Sequence, residues 1–310
     1  MTAPLHFLSV ADWSADALLE LLARSNELKD LFHRGERPQT LRGRTLAMYF
    51  EKPSLRTHVT FEAGVTQLGG HAILLRPEQV GIGTRESPRD VARNISRWVD
   101  ALMARTFSHE LVEELAAEAD IPVINGLTDR LHPCQAMADL QTIAEKMDPR
   151  EAAVAYVGDG NNMVHSLALL AGVLGLKLRI GTPASHRPDV AVMARVEAAA
   201  AKSGAVVTWT EDPAVAVADA DFVYTDTWTS MGQEAEAEER RKIFAAYQVN
   251  DALLEGAPDA FVMHCLPAHR GEEITDAVLD GDRSLVYEQA ENRLHSQKAI
   301  LERTMLAPRP

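Results

Sequence analysis

Cysteine is scarce in this chain of 310 residues, which contains two, Cys134 and Cys265. Two cysteines cannot build the disulfide framework of a small secreted domain, so we expect a reducing, cytoplasmic location. No run approaches the ~18 consecutive apolar residues that a membrane span needs. The N-terminus also lacks a basic start followed by an apolar stretch, so neither a membrane partner nor a signal peptide is expected.

Positive charge is outnumbered, because 31 Lys and Arg stand against 45 Asp and Glu and leave a net charge of −14. Such a surface repels phosphate backbones and anionic lipid, which argues against nucleic acid and membranes as partners. A small anionic substrate remains possible, since a local group of arginines can override the global sign. Hydrophobic residues at 46% and charged residues at 25% are ordinary values for a globular protein and exclude a largely disordered chain.

The length predicts about two domains, each large enough to bury its own core. Short strand-like runs alternate with helical patterns, which is typical of parallel sheets with helices on both faces. The predicted strands cover residues 45–50, 72–75, 101–105, 122–125, 153–157, 176–181, 205–209, 222–225 and 260–264. Helices are predicted around residues 18–32, 190–203 and 274–280, a domain boundary at 146–150, and a solvated helix face for the charged run 234–242.

The first pattern with chemical meaning covers residues 50–57, where a strand ends at Phe50 and Pro53 breaks it. Ser54 then stands where a helix N-cap belongs. Free backbone N–H groups at such a start bind anions, and Arg56 and Thr57 add a guanidinium and a hydroxyl. The pattern indicates a phosphate site, and a capped structural helix is the alternative.

Two further strand ends carry polar residues, namely Arg105 and the segment from His132 to Gln135. Parallel strands deliver their carboxyl ends to one edge of the sheet, where ligands of α/β proteins bind. Arginines, a histidine and a glutamine gathered there would suit a dianionic phosphate next to a carbonyl. In the second half of the chain, Asp226 follows a strand and could face an amine, and Cys265 places a thiol at another strand end.

Residues 155–163 follow a strand and open a helix, but Met163 stands where a dinucleotide fingerprint needs its third glycine. A nicotinamide-dependent dehydrogenase is therefore disfavoured. No Cys-x-x-Cys pair exists, and His264 and Cys265, as neighbours in a strand, should point to opposite faces, so no metal site is expected. A Cys–His nucleophilic site remains open at this point.

Five motifs in order, covering residues 54–57, 132–135, 226–232, 264–267 and 290–295, resemble the ornithine carbamoyltransferases. The resemblance runs from about residue 5 to about residue 305. It implies an α/β fold with two doubly wound parallel-sheet domains and the active site in the cleft between them. The carbamoyl phosphate domain would cover residues 1–146, with a last helix at about 290–310 packing back on it, and the ornithine domain residues 147–289.

The resemblance also implies the reaction, in which the δ-amine of L-ornithine takes the carbamoyl group of carbamoyl phosphate to give L-citrulline and phosphate. No cofactor or metal is implied, and the partners would be identical chains in a homotrimer, or a multiple of trimers, with shared active sites. The implied carbamoyl phosphate ligands are Ser54, Leu55, Arg56, Thr57, Gln79, Arg105, His132, Pro133, Cys134, Gln135, Cys265, Leu266 and Arg293. The implied ornithine ligands are Asn162, Asp226, Ser230 and Met231, and the catalytic residues would be Arg105, His132 and Cys265.

Two positions differ from the usual family pattern. Leu55 replaces the more common threonine, a form also found in relatives that act on acylated ornithine, so acetylornithine or succinylornithine is the alternative substrate. Gly81 stands where a glutamine is usual, and Gln79 is the nearest amide. An aspartate carbamoyltransferase would need basic residues for a second carboxylate, whereas Asp226 and Cys265 suit an amine. A non-catalytic relative should have lost site residues that this chain keeps.

Overall fold

The computed structural model describes residues 4–229, 232 and 234–308. They form two compact units, one of Met1–Ala138 with Asn292–Pro310 and one of Asp139–Glu291. The chain leaves the first unit inside a helix, Pro133–Ala144, and returns to it inside the last helix, Val286–Met305. Both crossings between the two units therefore lie inside helices rather than in loops.

The first unit is a four-stranded parallel sheet in the order β2-β1-β3-β4. Its strands are β1 (Thr45–Phe50), β2 (His71–Leu75), β3 (Ala101–Arg105) and β4 (Val123–Leu127). Its helices are α1 (Ala15–His33), α2 (Leu55–Gln67), α3 (Pro77–Val80), α4 (Pro88–Ile95), α5 (His109–Glu118) and the first part of α6 (Pro133–Ala144). The order of the strands reverses between β1 and β3, which makes their carboxyl ends the expected ligand site.

Burial explains why these segments form a sheet. Every residue of β3 is buried, and in β1 only Thr45 is not. Continuous apolar strands of this kind are typical of a parallel sheet covered on both faces. On one face, α4 and α5 pack against β1 and β3 around Val91, Val112 and Leu115. The strand β2 lies at the edge, and its residues alternate between exposed and half-buried.

The second unit is a five-stranded parallel sheet in the order β7-β6-β5-β8-β9. Its strands are β5 (Ala153–Val157), β6 (Lys177–Gly181), β7 (Val206–Thr210), β8 (Phe222–Thr225) and β9 (Phe261–His264). Its helices are α7 (Asn162–Leu174), α8 (Val190–Ser203), α9 (Pro213–Val217), α10 (Ala237–Phe244), α11 (Asp251–Leu254), α12 (Asp276–Leu279) and the start of α13 (Val286–Met305). Here the order reverses between β5 and β8.

The predicted fold class is confirmed, since both units are α/β with parallel sheets, and each of the nine predicted strands lies within two residues of an observed one. The helix predicted at 274–280 is shorter, because Ile274 is buried in a bridge to Val249 and the helix starts only after Thr275 caps it. No helix within the described part of the chain is long and apolar enough to cross a membrane.

The prediction of a solvated face for residues 234–242 is wrong at Arg240, whose exposure is 4%. Arg240 donates from Nη2 to Asp159 Oδ2 at 2.5 Å and from Nε to the Trp228 carbonyl at 2.5 Å. Burial raises the pKa of Asp159 to about 7, and the Arg240 guanidinium opposes that rise. One arginine of the charged run therefore ties α10 to the segments that follow β5 and β8.

Candidate active site

The N-terminus of α2 lies directly after β1, at the reversal point of the first sheet. Ser54 is its N-cap, as predicted, and its hydroxyl accepts from the Thr57 backbone N–H at 3.3 Å. The Leu55 side chain points to solvent, with 74% exposure. Leu55 can therefore contribute little more than its backbone N–H, one of those that a helix start leaves for an anion.

Thr57 is fully buried and joins two guanidinium groups. Its hydroxyl oxygen accepts from Arg105 Nη1 at 3.4 Å and from Arg293 Nη2 at 3.0 Å. Arg105 is the last residue of β3. Arg293 lies in the last helix, 236 residues after Thr57. Three of the predicted carbamoyl phosphate ligands are thus brought into direct contact by the first unit alone.

Arg293 is held at both ends of its guanidinium. It donates from Nη1 to Gln135 Oε1 at 2.7 Å. With the Gln297 amide oriented to donate to Thr60 Oγ1, the Gln297 oxygen accepts from Arg293 Nε at 3.0 Å. Side chains from α2 and α6 and the next turn of α13 therefore fix its position, which preorganises the charge.

His132 precedes α6 and is 6% exposed. Its pKa is lowered well below the usual value, first by burial and then by the positive charges of Arg293, Arg105 and Arg56. The imidazole is therefore neutral at physiological pH and offers one donor and one acceptor. The sequence identified His132 as a candidate, but its burial and the surrounding cations decide its charge.

The remaining residues of the 132–135 segment have different surroundings. Pro133 is the first residue of α6, and Gln135 holds Arg293. The Cys134 thiol is fully buried and donates to the Asn125 carbonyl at 3.3 Å, and burial raises its pKa to about 12. Its side chain thus packs against the middle of β4, and only its backbone is left for a ligand.

Gln79 was predicted to bind carbamoyl phosphate but lies apart from the arginine cluster, whereas Lys52 was not predicted but is buried near Arg105. Gln79 is exposed, and its Oε1 accepts from the Arg76 backbone N–H at 3.2 Å in the cap of α3, so the structure does not join it to the arginine cluster. Lys52 was not assigned, yet it is buried, its Nζ lies 4.2 Å from the Phe107 ring centre, and burial and Arg105 lower its pKa. Its position two residues before Ser54 was the available signal.

In the second unit, Asp226 follows β8 at the reversal point of the sheet. Its Oδ1 accepts from the Cys265 thiol at 3.0 Å and from the Thr227 backbone N–H at 2.8 Å. Its Oδ2 accepts from Asn161 Nδ2 at 2.9 Å. Asp226 and Cys265 were both predicted, and the structure places them in contact. Asn161, the neighbour of the predicted Asn162, was not predicted.

Asn162 is the first residue of α7, directly after the N-cap Asn161. The preceding Gly158 has a φ of +143°, and a Cβ on Gly160 would lie 2.3 Å from the His186 carbonyl oxygen. These glycines are therefore required by the turn and by the close approach of residues 186–188. The chain's own backbone at residues 186–188 therefore lies directly against this glycine turn.

Cys265 lies just past the end of β9, and its neighbours are tied together. The Leu266 backbone N–H donates to His264 Nδ1 at 2.8 Å, which places the imidazole proton on Nε2, where it is donated to Glu273 Oε1 at 3.1 Å. Both His264 and Glu273 are fully buried. This network holds the turn that presents the thiol.

The prediction that His264 and Cys265 point apart is wrong, because β9 ends at His264 and the alternation of a strand stops there. Ligand atoms of Asp226, His264 and Cys265 lie within 4.8 Å of one another. Both imidazole nitrogens of His264 and the Cys265 thiol already hold hydrogen bonds within the chain. The predicted ornithine ligands Ser230 and Met231 lie outside the described residues.

Two family models match successive parts of the chain. Residues 5–145 match the family model for the carbamoyl-P binding domain of aspartate/ornithine carbamoyltransferase, and residues 150–304 match that for its Asp/Orn binding domain. The ornithine carbamoyltransferase of Anoxybacillus flavithermus is 54% identical over 297 residues, covering 95% of each chain. The anabolic ornithine carbamoyltransferase of Pyrococcus furiosus is 49% identical over 300 residues, covering 96% of this chain and 95% of that one.

A solved structure of ornithine carbamoyltransferase from Pyrococcus furiosus superimposes with a TM-score of 0.95 at 48% identity, over 99% of both chains. Both family models and a full-length relative thus agree with the order of motifs read from the sequence. The chain belongs to the aspartate/ornithine carbamoyltransferase family.

Proposed function

We propose that this chain transfers the carbamoyl group of carbamoyl phosphate to the δ-amine of L-ornithine, giving L-citrulline and phosphate. The observation that carries the proposal is the contrast between two sites, a buried arginine cluster at the reversal point of the first sheet and the Asp226–Cys265 contact at that of the second. The first suits a phosphate and the second an amine. The reaction needs no cofactor.

The phosphate is bound at the N-terminus of α2. Ser54, Thr57 and the first backbone N–H groups of the helix supply neutral donors, and Arg56 and Arg105 supply charge. As the bond from phosphate to the carbamoyl carbon breaks, negative charge grows on the leaving oxygen. Fixed cations stabilise that charge more than they stabilise the ground state, which is the requirement for catalysis.

The carbamoyl group is oriented by His132, Gln135 and Arg293. A neutral His132 can donate to the carbamoyl oxygen without adding a further positive charge beside the arginines. The Leu266 N–H is already donated to His264, so the turn at Cys265 and Leu266 would contribute carbonyl oxygens, which suit the carbamoyl NH₂. These contacts polarise the carbonyl carbon toward attack.

Ornithine is held by the second unit. Asn162, Ser230 and Met231 bind its amino-acid end, as the family resemblance implies, and Asp226 faces the δ-ammonium. That amine resembles lysine, with a pKa of about 10.4, so it arrives protonated and must lose a proton before it attacks. We therefore expect activity to rise from neutral toward alkaline pH, following the loss of one proton from the enzyme–ornithine system. Cys265 contacts Asp226 and would accept a hydrogen bond from the amine.

The preferred acceptor is unmodified ornithine rather than an acylated form. Leu55 is the residue that resembles the acylated-ornithine enzymes. Its side chain is exposed and gives no steric reason to prefer an acylated substrate. The relatives reported above carry the name ornithine carbamoyltransferase.

A colorimetric citrulline assay tests this directly with ornithine, acetylornithine, succinylornithine and aspartate as acceptors. Omission of carbamoyl phosphate is the blank for each acceptor. The proposal expects the highest kcat/KM for ornithine. A higher value for acetylornithine would transfer the assignment to the acylated substrate, and a lack of turnover with all four would remove it.

We further propose that the chain assembles as a homotrimer, or a multiple of trimers, with shared sites. Edge strand β2 and helix α2 leave apolar side chains open on the first unit, with exposures of 52% for Val59 and 41% for Ile73. A second copy would cover them. Gln79 is exposed beside this edge and would act in the site of a neighbouring copy.

Light scattering should then give three times, or a multiple of three times, the 34.0 kDa mass of one chain. Mixing Gln79→Ala with Arg105→Met subunits tests the sharing, since hybrid trimers would regain some sites that carry both native residues. A monomeric mass, or no recovery of activity on mixing, would contradict it. We also propose a cytoplasmic location, which the two free cysteines support.

A further inference from the structure

The Asn161 side chain makes four hydrogen bonds within the second unit, one of them accepted by Oδ1 from the Tyr156 hydroxyl at 3.4 Å. Its Oδ1 accepts from the Met163 N–H at 2.9 Å and from the Val164 N–H at 3.4 Å, so it caps α7. Its Nδ2 donates to Asp226 Oδ2 at 2.9 Å. Because helix N–H groups hold the oxygen, the amide nitrogen can point only toward Asp226.

Capping alone does not explain the choice of asparagine. Asp189 caps α8 with one carboxylate oxygen that accepts from Ala191 and Val192. Asp212 caps α9 in the same way, accepting from Ala214 and Val215. Aspartate therefore makes this cap twice in the same unit, and Asp and Asn are about equal as N-caps. At α7 the other terminal atom of the capping side chain, Asn161 Nδ2, faces the Asp226 carboxylate. An amide can donate a hydrogen bond there, whereas a second carboxylate cannot.

The Asp226 carboxylate is consequently held on two sides. Asn161 fixes Oδ2, and Oδ1 receives the Cys265 thiol and the Thr227 N–H. The terminal torsion of an aspartate is broad, so without a donor on Oδ2 the carboxylate plane could turn away from both thiol and amine. An error of 1 Å in such a position costs about 100-fold in rate.

We propose that Asn161 is a positioning residue that orients Asp226 for the ornithine amine and for Cys265. It acts through Asp226 rather than by touching the reacting atoms. The proposal rests on the proposed function, in which Asp226 faces the ornithine ammonium, and it adds a residue that the family motifs in the sequence did not bring forward.

The decisive variant is Asn161→Asp, which keeps an N-cap and replaces the donor by a carboxylate facing Asp226. We expect kcat/KM for ornithine to fall about 10- to 100-fold, the effect of losing a hydrogen bond to a charged group. The KM for carbamoyl phosphate should stay within about twofold of wild type, because Asn161 contacts none of its ligands. Asn161→Ser caps the helix but is too short to reach Asp226. It should also lower kcat/KM for ornithine, by a smaller factor, and leave the KM for carbamoyl phosphate nearly unchanged.

The matched control is Asn250→Asp. Asn250 is the N-cap of α11, where its Oδ1 accepts from the Leu253 N–H and its Nδ2 donates to Gln248. The chemical change is the same, but no carboxylate of the site faces it. Its kinetics should match those of wild type.

A second readout needs no substrate. Iodoacetamide alkylation reports on Cys265, since the other cysteine, Cys134, is fully buried. A second carboxylate beside Asp226 disfavours the thiolate, so Asn161→Asp should slow alkylation about tenfold, the effect of one unit of thiol pKa on the thiolate fraction. Asn250→Asp should leave the rate unchanged.

Wild-type ornithine kinetics together with a wild-type alkylation rate in Asn161→Asp would overturn the proposal. Equal increases in both KM values with an unchanged alkylation rate would also overturn it, because they indicate a purely structural cap. If the wild-type chain forms no citrulline, the proposed function fails, while the alkylation comparison still decides whether Asn161 orders Asp226 and Cys265.

Discussion

The two units use the same topological device for opposite charges. Each builds a parallel sheet in which the strand order reverses once, between β1 and β3 in the first unit and between β5 and β8 in the second. At the first reversal Arg105 and Arg293 meet on the buried Thr57 hydroxyl, and at the second Asp226 meets a thiol and an amide. The fold supplies the position of a ligand site, and a few side chains decide its charge.

The two sites also differ in how they tolerate burial. The first gathers cations and keeps His132 neutral among them. The second keeps a carboxylate among donors, and a further buried acid, Asp159, is paired with Arg240. In the proposed function, a negative substrate group completes the first site and a positive one completes the second. Variants in the two sites should therefore affect the two substrates separately.

The largest effect is expected for Arg105→Met. Loss of a fixed donor at the leaving phosphate should lower kcat by about 10²- to 10³-fold, the range seen for groups that stabilise developing charge. The KM for ornithine should change little. Steady-state kinetics with each substrate varied in turn measure both effects. Arg44→Met, which removes a partly exposed ion pair with Asp100 in the same unit, is the control and should retain activity.

Next is Asp226→Asn, which keeps the shape and removes the charge. We expect kcat/KM for ornithine to fall about 10- to 150-fold, because a hydrogen bond to a charged group contributes about 1.5–3 kcal/mol. Carbamoyl phosphate binding should be nearly unchanged. If instead both substrates lose affinity equally, the contrast between the two units would not reflect separate substrate sites.

The neutral state of His132 gives a pH prediction for stability. Its pKa is lowered in the folded chain, and an unfolded histidine has a pKa of about 6.5. Below that pH the unfolded state takes up a proton that the folded state does not, so the free energy of unfolding falls by up to about 1.4 kcal/mol per pH unit as pH decreases. The contribution is fully present above the unfolded pKa.

Urea unfolding between about pH 5 and pH 8 measures this slope against His132→Asn. The wild-type curve should be the steeper one below about pH 6.5, and the two curves should run parallel above it. Parallel curves over the whole range would mean that His132 is charged in the folded protein, and the first unit would then tolerate one more cation than proposed.

The smallest effect is expected for Cys265→Ser. Serine keeps a donor to Asp226 and the fold, so we expect about a 2- to 12-fold loss in kcat/KM for ornithine, the scale of one neutral hydrogen bond. The KM for carbamoyl phosphate should change less, because backbone groups supply that contact. Wild-type kinetics with an unchanged pH profile would make Cys265 an inert thiol and remove it from the mechanism.

The sequence predicted the strands well because buried parallel strands are short apolar runs, and that signal is local. It also identified Ser54 as a cap and Asp226 and Cys265 as strand-end residues. It failed where the relevant partner is distant along the chain. Arg240 reads as one charge in a solvated run, and only contacts with Asp159 and Trp228 reveal that it is buried.

The local rule for His264 and Cys265 failed for a related reason. Alternation holds within a strand, and the sequence could not fix the residue at which β9 ends. Asn161 was passed over because a capping asparagine next to a second asparagine gives no sign of which one reaches across the sheet. Its contact with Asp226 joins residues 65 positions apart.

The fold class, the order of the strands along the chain and the residue types at their ends follow from the sequence, because they depend on local periodicity and capping. Tertiary structure alone decided which of those residues meet and in what charge state. His132 is neutral because it is buried and lies near three arginines. Thr57 joins Arg105 to Arg293 because the last helix returns to the first unit. Charge and burial depend on neighbours in space, and a linear pattern does not contain them.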